Sequence, residues 1–397
     1  MPTSPVQKNT DIEALRALAI VFVIMAHIGR LLPANHWYTG IMGQAGFGFG
    51  VDIFFCVSGF IITQSLMRHM PERPAPALLW QIAGPFLTRR FWRLMPSALF
   101  WILALVLAAA VLDGKGTLLS FPGSLKPALQ AMLQVFDFTF ASCRDAGTCG
   151  EFGIYWSLSL ENQFYLVLPV LAVCAGRRLL PLVFLGAFAA QFFIERQLTT
   201  PTPFLWALRT DAICLGALLA LVSHRAAYRD MEPTVLRVPL AASILVAFVL
   251  ALMAGITVAR APVAHAMGIT ALLCGLLTWI ASYDRCYLTR NRLARALAVY
   301  IGSRSYAIYL THMLAMSLTA WMVQRAPLSA LVQACGPGAS VALFLVLTGL
   351  FSEFNYRVIE MPLRAYGKKR SAAMTGEPDA GIAQTDALPK ASTAPSA

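Results

Sequence analysis

The first hydrophobic stretch, "LRALAIVFVIMAHIGRLLP" over residues 15–33, carries two ionisable side chains well inside its length, Arg16 and His27. Eleven residues are about three turns of helix, so both fall on one helix face, roughly 16 Å apart along its axis. A charged group in a hydrocarbon core is costly and usually faces the bundle interior or a watery cavity, where it serves function. An imidazole there is a functional group by default, able to take or give a proton. A guanidinium offers a planar fork that fits phosphate.

Other polar residues fall at matching depths on neighbouring apolar runs. Asp52 and Ser58 lie in "GVDIFFCVSGF", Glu161 in "WSLSLENQFYLVLP", and Arg209 and Asp211 in "LRTDAICLG". The segment "RRFWRLMP" holds Arg89, Arg90 and Arg93, of which Arg90 and Arg93 share a face at i, i+3. "GSRSYAIYLTHM" supplies Arg304, Tyr306, Tyr309 and His312, and Glu360 stands just before Pro362. The pattern predicts a basic inner pocket containing Arg16, Arg90 and Arg93, and an outer layer in which Asp52 and Glu161 surround His27. Each residue also has a structural reading. The arginines can mark topology, an intramembrane carboxylate can join two helices, and His312 can be a packing partner. Gly46, Gly48 and Gly50 follow no strand and have the wrong spacing for a dinucleotide site, so they read as close helix packing.

These side chains need a membrane bundle to position them. The chain has 397 residues, 58% hydrophobic and 13% charged, with a mean hydropathy of +0.66. A soluble protein carries about 25% charged residues. Ten apolar runs, at 12–32, 47–67, 94–112, 153–174, 179–194, 203–222, 238–258, 266–282, 298–320 and 339–357, approach the ~20 residues that cross a bilayer as helix. The fold class is therefore all-α: a polytopic integral membrane bundle of about ten transmembrane helices. The N-terminal run is too long for the core of a cleaved signal peptide and reads as a retained first span. Residues 1–11 form a cytoplasmic N-terminus and 12–365 the transmembrane domain. Residues 366–397, rich in Ala, Pro, Ser and Thr, read as a disordered cytoplasmic tail.

Most of the 31 Lys and Arg fall in alternate loops, the signature of cytoplasmic segments, which puts both termini inside. The net charge of +12 is thus a topology signal, and no nucleic-acid motif accompanies it. Most of the eight cysteines lie in or beside spans. Cys143 and Cys149 instead share the outer loop "FASCRDAGTCGEFG", where an oxidising compartment would join them as a disulfide and a reducing one would leave two thiols. Their spacing suits no zinc site, and no metal is expected.

Taken in order, Arg16…His27, "GVDIFFCVSGF", "RRFWRLMP", "WSLSLENQFYLVLP", "SYAIYLTHM" and "YRVIEMP" resemble the membrane-bound acyltransferase family three, the bacterial glycan O-acyltransferases. The resemblance covers nearly all of residues 10–365. Asn162 stands where a second Glu is often found. The resemblance implies a stand-alone form without a soluble C-terminal domain, in the bacterial inner membrane among membrane lipids. It implies acyl-CoA, most often acetyl-CoA, as co-substrate, with no permanently bound cofactor. The acceptor would be a hydroxyl of a surface or exported glycan such as O-antigen lipopolysaccharide or exopolysaccharide. On that reading His27 is the base or acyl carrier, with Glu161 or Asp52 supporting its imidazolium. Arg16, Arg90 and Arg93 hold CoA phosphates, and Ser58 and Tyr306 line the thioester channel. The alternative is a proton-coupled transporter of a small solute or lipid-linked glycan. Oligomeric state is not set by the sequence.

The Lys and Arg asymmetry generates a direct test. A fluorescent protein fused after Ala397 should fluoresce and a phosphatase fused there should be inactive; the reverse pair of results would overturn the ten-span topology.

Overall fold

The computed structural model describes residues 9–112, 118–194, 203–258 and 263–376, and no strand occurs among them. Its helices are α1 (Thr10–Ile28), α2 (Trp37–Met42), α3 (Gly50–Met67), α4 (Leu79–Leu112), α5 (Phe121–Met132), α6 (Asp137–Asp145) and α7 (Tyr155–Phe192). They continue as α8 (Asp211–Ser223), α9 (Pro239–Ile256), α10 (Ala266–Ser282), α11 (Arg292–Met322), α12 (Leu328–Cys335), α13 (Gly338–Phe354) and α14 (Met361–Thr375). Among the described residues, six helices are long and apolar enough to cross a membrane, α7 counted once, and α9 and α10 are shorter apolar helices. The protein is an all-α membrane bundle.

Local chemistry sets the helix ends. Asn9 caps α1 by accepting from the Ile12 amide at 2.8 Å, and Asn291 caps α11 by accepting from the Leu293 and Ala294 amides. The first turn of α1 is also tied to the loop after α10. Asp284 accepts from the Thr10 amide at 2.8 Å, and Asp11 accepts from the Tyr287 amide at 3.0 Å. In the same loop system Glu232 accepts from the Tyr287 hydroxyl at 2.7 Å. That bond, with Arg285 and Arg237 alongside, holds the Glu232 carboxyl below the usual carboxylate range.

Two expected spans, 153–174 and 179–194, are one helix, α7, broken at Gly176. There φ is +69°, which favours glycine, and the Arg73 backbone lies where a Cβ would stand, 2.6 Å from its carbonyl carbon. The run at 203–222 begins as a short 3-10 segment, Pro203–Leu208, and becomes α-helical only at Asp211. The third helix starts earlier than expected, at Leu79. At ~1.5 Å per residue, its 34 residues exceed the ~30 Å hydrocarbon core by a wide margin.

The boundary at residue 366 needs correction. A π-helical segment, Asn355–Glu360, carries the chain from α13 into α14, which runs to Thr375. Pro362 sits in its first turn, where its missing N–H does no harm. α14 packs along α4: Gly367 lies against Trp92, Trp92 meets Tyr366 at 4.6 Å between ring centroids, and Arg89 donates to the Ser371 hydroxyl at 2.6 Å. Residues 377–397 of the expected tail lie outside the described residues.

The core is organised by close crossings. α3 meets α8 at Gly59 and Gly216, where a Cβ would fall 2.2 Å from the Ile213 carbonyl oxygen and 1.9 Å from that of Cys56. Gly50 and Gly302 bring α3 and α11, respectively, against the backbone of α1. Gly46 abuts the Thr257 backbone, whereas Gly48 has open space.

Backbone cannot yield as a side chain can. Gly216→Val should therefore separate α3 from α8 and cost about 1–3 kcal/mol or more, read as a lower thermal transition of the purified protein. Gly349→Ala, where nothing lies within 4 Å of the added carbon, should leave the transition unchanged.

Candidate active site

Five helices, α1, α3, α4, α7 and α11, line a partly open cavity of about 80 Å³. Arg16, Ser58, Arg90, Arg93, Glu161 and Tyr306 all line it, so most of the expected site residues converge on one chamber. The i, i+3 spacing works as geometry: Arg90 and Arg93 face inward while Arg89 turns to α14. Arg16 is held on its own helix by Glu13, 3.2 Å away and one turn earlier. Arg90 donates to the Ser65 hydroxyl at 3.1 Å and lies over the Phe86 and Tyr165 rings. Tyr306 closes the wall by donating to the Leu94 carbonyl at 2.6 Å.

Two wall atoms stand out. Arg93 Nε and Ser305 Oγ are buried with no hydrogen-bond partner among the described residues. Buried polar atoms are normally satisfied. An arginine edge and a hydroxyl left open on one cavity are places for a ligand's oxygens to bond.

The expected outer layer is not assembled. Glu161 accepts a short hydrogen bond from the Tyr165 hydroxyl, one turn along α7, and does not contact His27. Asp52 is paired with Arg209, whose guanidinium lies over the Trp156 and Trp206 rings at 5.4 and 4.7 Å. Asp52 thus has a structural partner in Arg209, and this pairing gives it a helix-joining role beside the catalytic one expected from the sequence. Its depth matches that of His27, but its side chain points toward the 206–211 segment. Asn162 donates to Gln134 at 2.6 Å, away from the cavity, so the departure from Glu at that position leaves the chamber untouched.

His27 lies beyond the cavity wall and has another partner. Its Nδ1 meets the Val23 carbonyl at 2.7 Å, and its ring contacts that of His312 edge to face, 5.0 Å between centroids. His312 is fully buried, and its ring is 5.7 Å from that of Tyr309. Tyr309 does line the cavity, donating to the Ile154 carbonyl at 3.0 Å and sitting 2.7 Å from the Ser157 hydroxyl. An aromatic file, His27–His312–Tyr309, thus joins the first-span imidazole to the basic chamber. Tyr309, Ser157, Ser305 and Tyr165 were missed as site residues. Their signal was periodicity: Ser157, Glu161 and Tyr165 fall at i, i+4, i+8 on α7, and Ser305, Tyr309 and His312 at i, i+4, i+7 on α11. Cys143 and Cys149 are joined by a disulfide beside α6.

The chain belongs to the acyltransferase domain family, whose pattern matches residues 9–351. It is a multi-pass membrane protein. Its relatives include the O-acetyltransferase OatA of Staphylococcus aureus, 25% identical over 394 residues and 91% of this chain. The peptidoglycan O-acetyltransferase OatA of Listeria monocytogenes is 28% identical over 382 residues and 90% of this chain. The chain spans 58% and 56% of the lengths of these two relatives. No solved structure matches it.

The Asp52–Arg209 pair generates a prediction that separates structure from catalysis. Asp52→Asn leaves a buried guanidinium without its counter-charge, which costs about 3–5 kcal/mol. Folded yield and thermal stability should fall, while activity per folded molecule stays near normal. A stable, inactive Asp52→Asn protein would establish the catalytic role.

Proposed function

We propose that the protein transfers an acyl group, acetyl in the first instance, from cytoplasmic acyl-CoA to a hydroxyl of an exported glycan. The observation that carries this reading is the arginine-walled chamber with an unpartnered guanidinium edge at Arg93. CoA is a polyanion with a long neutral arm. Arg16, Arg90 and Arg93 suit its phosphates through charge-assisted bonds. The apolar wall of α3 and the hydroxyls of Ser58, Ser305 and Tyr306 suit the arm. The thioester then lies toward Tyr309 and the histidine file. His27 serves as general base for the acceptor hydroxyl, or takes the acyl group on Nε2 and passes it on.

Membership of an acyltransferase family favours this reading over a proton-coupled transporter. The name of the Listeria relative makes peptidoglycan the first acceptor to try, ahead of lipopolysaccharide or exopolysaccharide. The basic end of the bundle faces the cytoplasm of the bacterial inner membrane, and the disulfide-bearing end faces out, as the positive-inside rule and the redox chemistry of cysteine require.

Two kinds of variant test the assignment. Arg90→Ala or Arg93→Ala removes a charge-assisted contact of about 1.5–3 kcal/mol. Acetyl-CoA affinity should therefore weaken at least tenfold in purified, folded protein. His27→Ala should keep that affinity and lose about 100-fold or more in turnover, read as thiol release from acetyl-CoA in native membranes. Normal donor affinity in both arginine variants would move the donor site elsewhere, and normal turnover in His27→Ala would remove the proposed base.

A further inference from the structure

Away from the chamber, a second cavity opens beside the start of the first span. It is a cleft of about 480 Å³ lined by Glu232, Arg237, Arg285, Cys286, Tyr287 and Arg290. That volume lies in the range of small-molecule sites. Two loops build it, one between α8 and α9 and one between α10 and α11. The first turn of α1 fixes its level: Asp11 accepts from the Tyr287 amide at 3.0 Å and from the Leu288 amide at 3.3 Å. Tyr228 stacks on Tyr283 at 5.1 Å, and Trp279 donates to the Tyr283 hydroxyl at 3.1 Å. Tryptophan and tyrosine gather where a membrane meets water. The cleft therefore stands at headgroup level.

Its cations are held in place. The mostly buried Glu232 meets Arg237 at 3.5 Å and Arg285 at 3.3 Å, and accepts from the Tyr287 hydroxyl at 2.7 Å. Arg290 donates to the Leu236 and Arg237 carbonyls at 2.8 and 2.7 Å. The positive-inside rule asks only that Lys and Arg lie on one side of the membrane. It does not require three guanidiniums to be drawn around one cleft with a single carboxylate among them. Three arginines against one glutamate leave an excess of two positive charges in the lining. A guanidinium has five N–H donors. The Arg237 and Arg285 side chains stay 63% and 60% exposed, so both keep donors for a ligand.

The surroundings say what kind of anion would fit. Beneath the cleft, Leu236 and Tyr287 pack with Ala242 of α9 and Ile280 of α10. α9 begins two residues after Arg237 and exposes Leu240, Ile244 and Phe248, at i, i+4 and i+8 along one face. Met231, Val235 and Val238, in the loop that leads to it, are exposed as well. A soluble anion gains nothing from such a border. A phospholipid carries its phosphate at headgroup level and its acyl chains alongside the helix, and basic pockets at the ends of spans suit anionic headgroups.

We propose that this cleft binds the phosphodiester headgroup of an anionic phospholipid, with an acyl chain along the exposed stripe of α9. The site is independent of the acyl-transfer reading. Arg237, Arg285 and Arg290 donate to the phosphate oxygens. The bound phosphate then bridges the two loops and, through Asp11, braces them against the first span.

Cys286 lines the cleft and reports on it. The full chain is placed in nanodiscs of phosphatidylcholine alone or of phosphatidylcholine mixed with phosphatidylglycerol. Alkylation by uncharged N-ethylmaleimide is followed peptide by peptide, and the free, exposed Cys174 and Cys335 give the reference rate. A cleft filled about four-fifths of the time should slow Cys286 about fivefold against those references when phosphatidylglycerol is present. Arg237→Gln combined with Arg285→Gln should return Cys286 to within about twofold of its phosphatidylcholine rate. Lys368→Gln combined with Lys369→Gln removes the same charge from exposed positions on α14 and should keep the protection. Equal Cys286 rates for the wild-type protein in the two bilayers overturn the proposal, and that comparison needs no variant to fold. Protection that survives in the arginine pair also overturns it. So does protection lost in the lysine pair, which would make it a general effect of surface charge. A last arm adds inorganic phosphate to the phosphatidylcholine nanodiscs. Protection there, with none added by phosphatidylglycerol, assigns the cleft to a soluble anion and overturns the lipid.

Discussion

A guanidinium taken out of water must recover its hydrogen bonds and counter-charge from the protein, and failing to do so costs several kcal/mol. The bundle is arranged around that requirement. Arg209 has Asp52 as its ion partner and two indole faces against it, with its Nε left open. Arg304 is paired with Glu353 and lies over the Tyr300 and Tyr356 rings. Arg16 has Glu13. Arg90 has a hydroxyl and two aromatic rings, and Arg93 keeps an open Nε. Arg209 and Arg304 thus join helices through ion pairs, whereas Arg16, Arg90 and Arg93 line the chamber. The proposed anionic donor would bring counter-charge to the three that share the chamber.

The sequence made the axial coordinate of each residue legible and left the azimuth open. Counting residues along the first span placed Arg16 and His27 at different depths on one face. Spacing by three turned Arg90 and Arg93 together and Arg89 away. The same arithmetic set Asp52 and Glu161 level with His27, but depth alone does not say which neighbour a side chain meets. That depends on which helices pack together, and α3 lies against α8, so Asp52 meets Arg209. Glu161 is claimed by Tyr165 from its own helix, an i, i+4 contact visible in the sequence had the stripe been traced. The helix after Pro362 was hidden for a different reason. Its residues are polar, and only packing against Trp92 and Arg89 on the unusually long α4 gives them a reason to be ordered.

The chamber and the histidine file divide the proposed chemistry between two environments. Charge is concentrated at one end, among arginines that a soluble, polyanionic donor would reach. The other end is the file of aromatic rings His27, His312 and Tyr309. A donor held by its phosphates would then meet the acceptor through its thioester alone.

The walls of the chamber also bear on how the chain is made. Its cations come from α1 and α4, but the wall that closes it, Ser305 to Tyr309, belongs to α11, nearly three hundred residues after Arg16. A ribosome adds residues at about 5–20 per second. Arg16, Arg90 and Arg93 therefore sit in the membrane for many seconds before their chamber exists. During that interval the snorkelling of their long side chains to the interface is the available refuge. Insertion of α11 is thus the committing step of biogenesis, the event that draws three interfacial cations into a closed interior and turns a set of inserted helices into a reaction vessel.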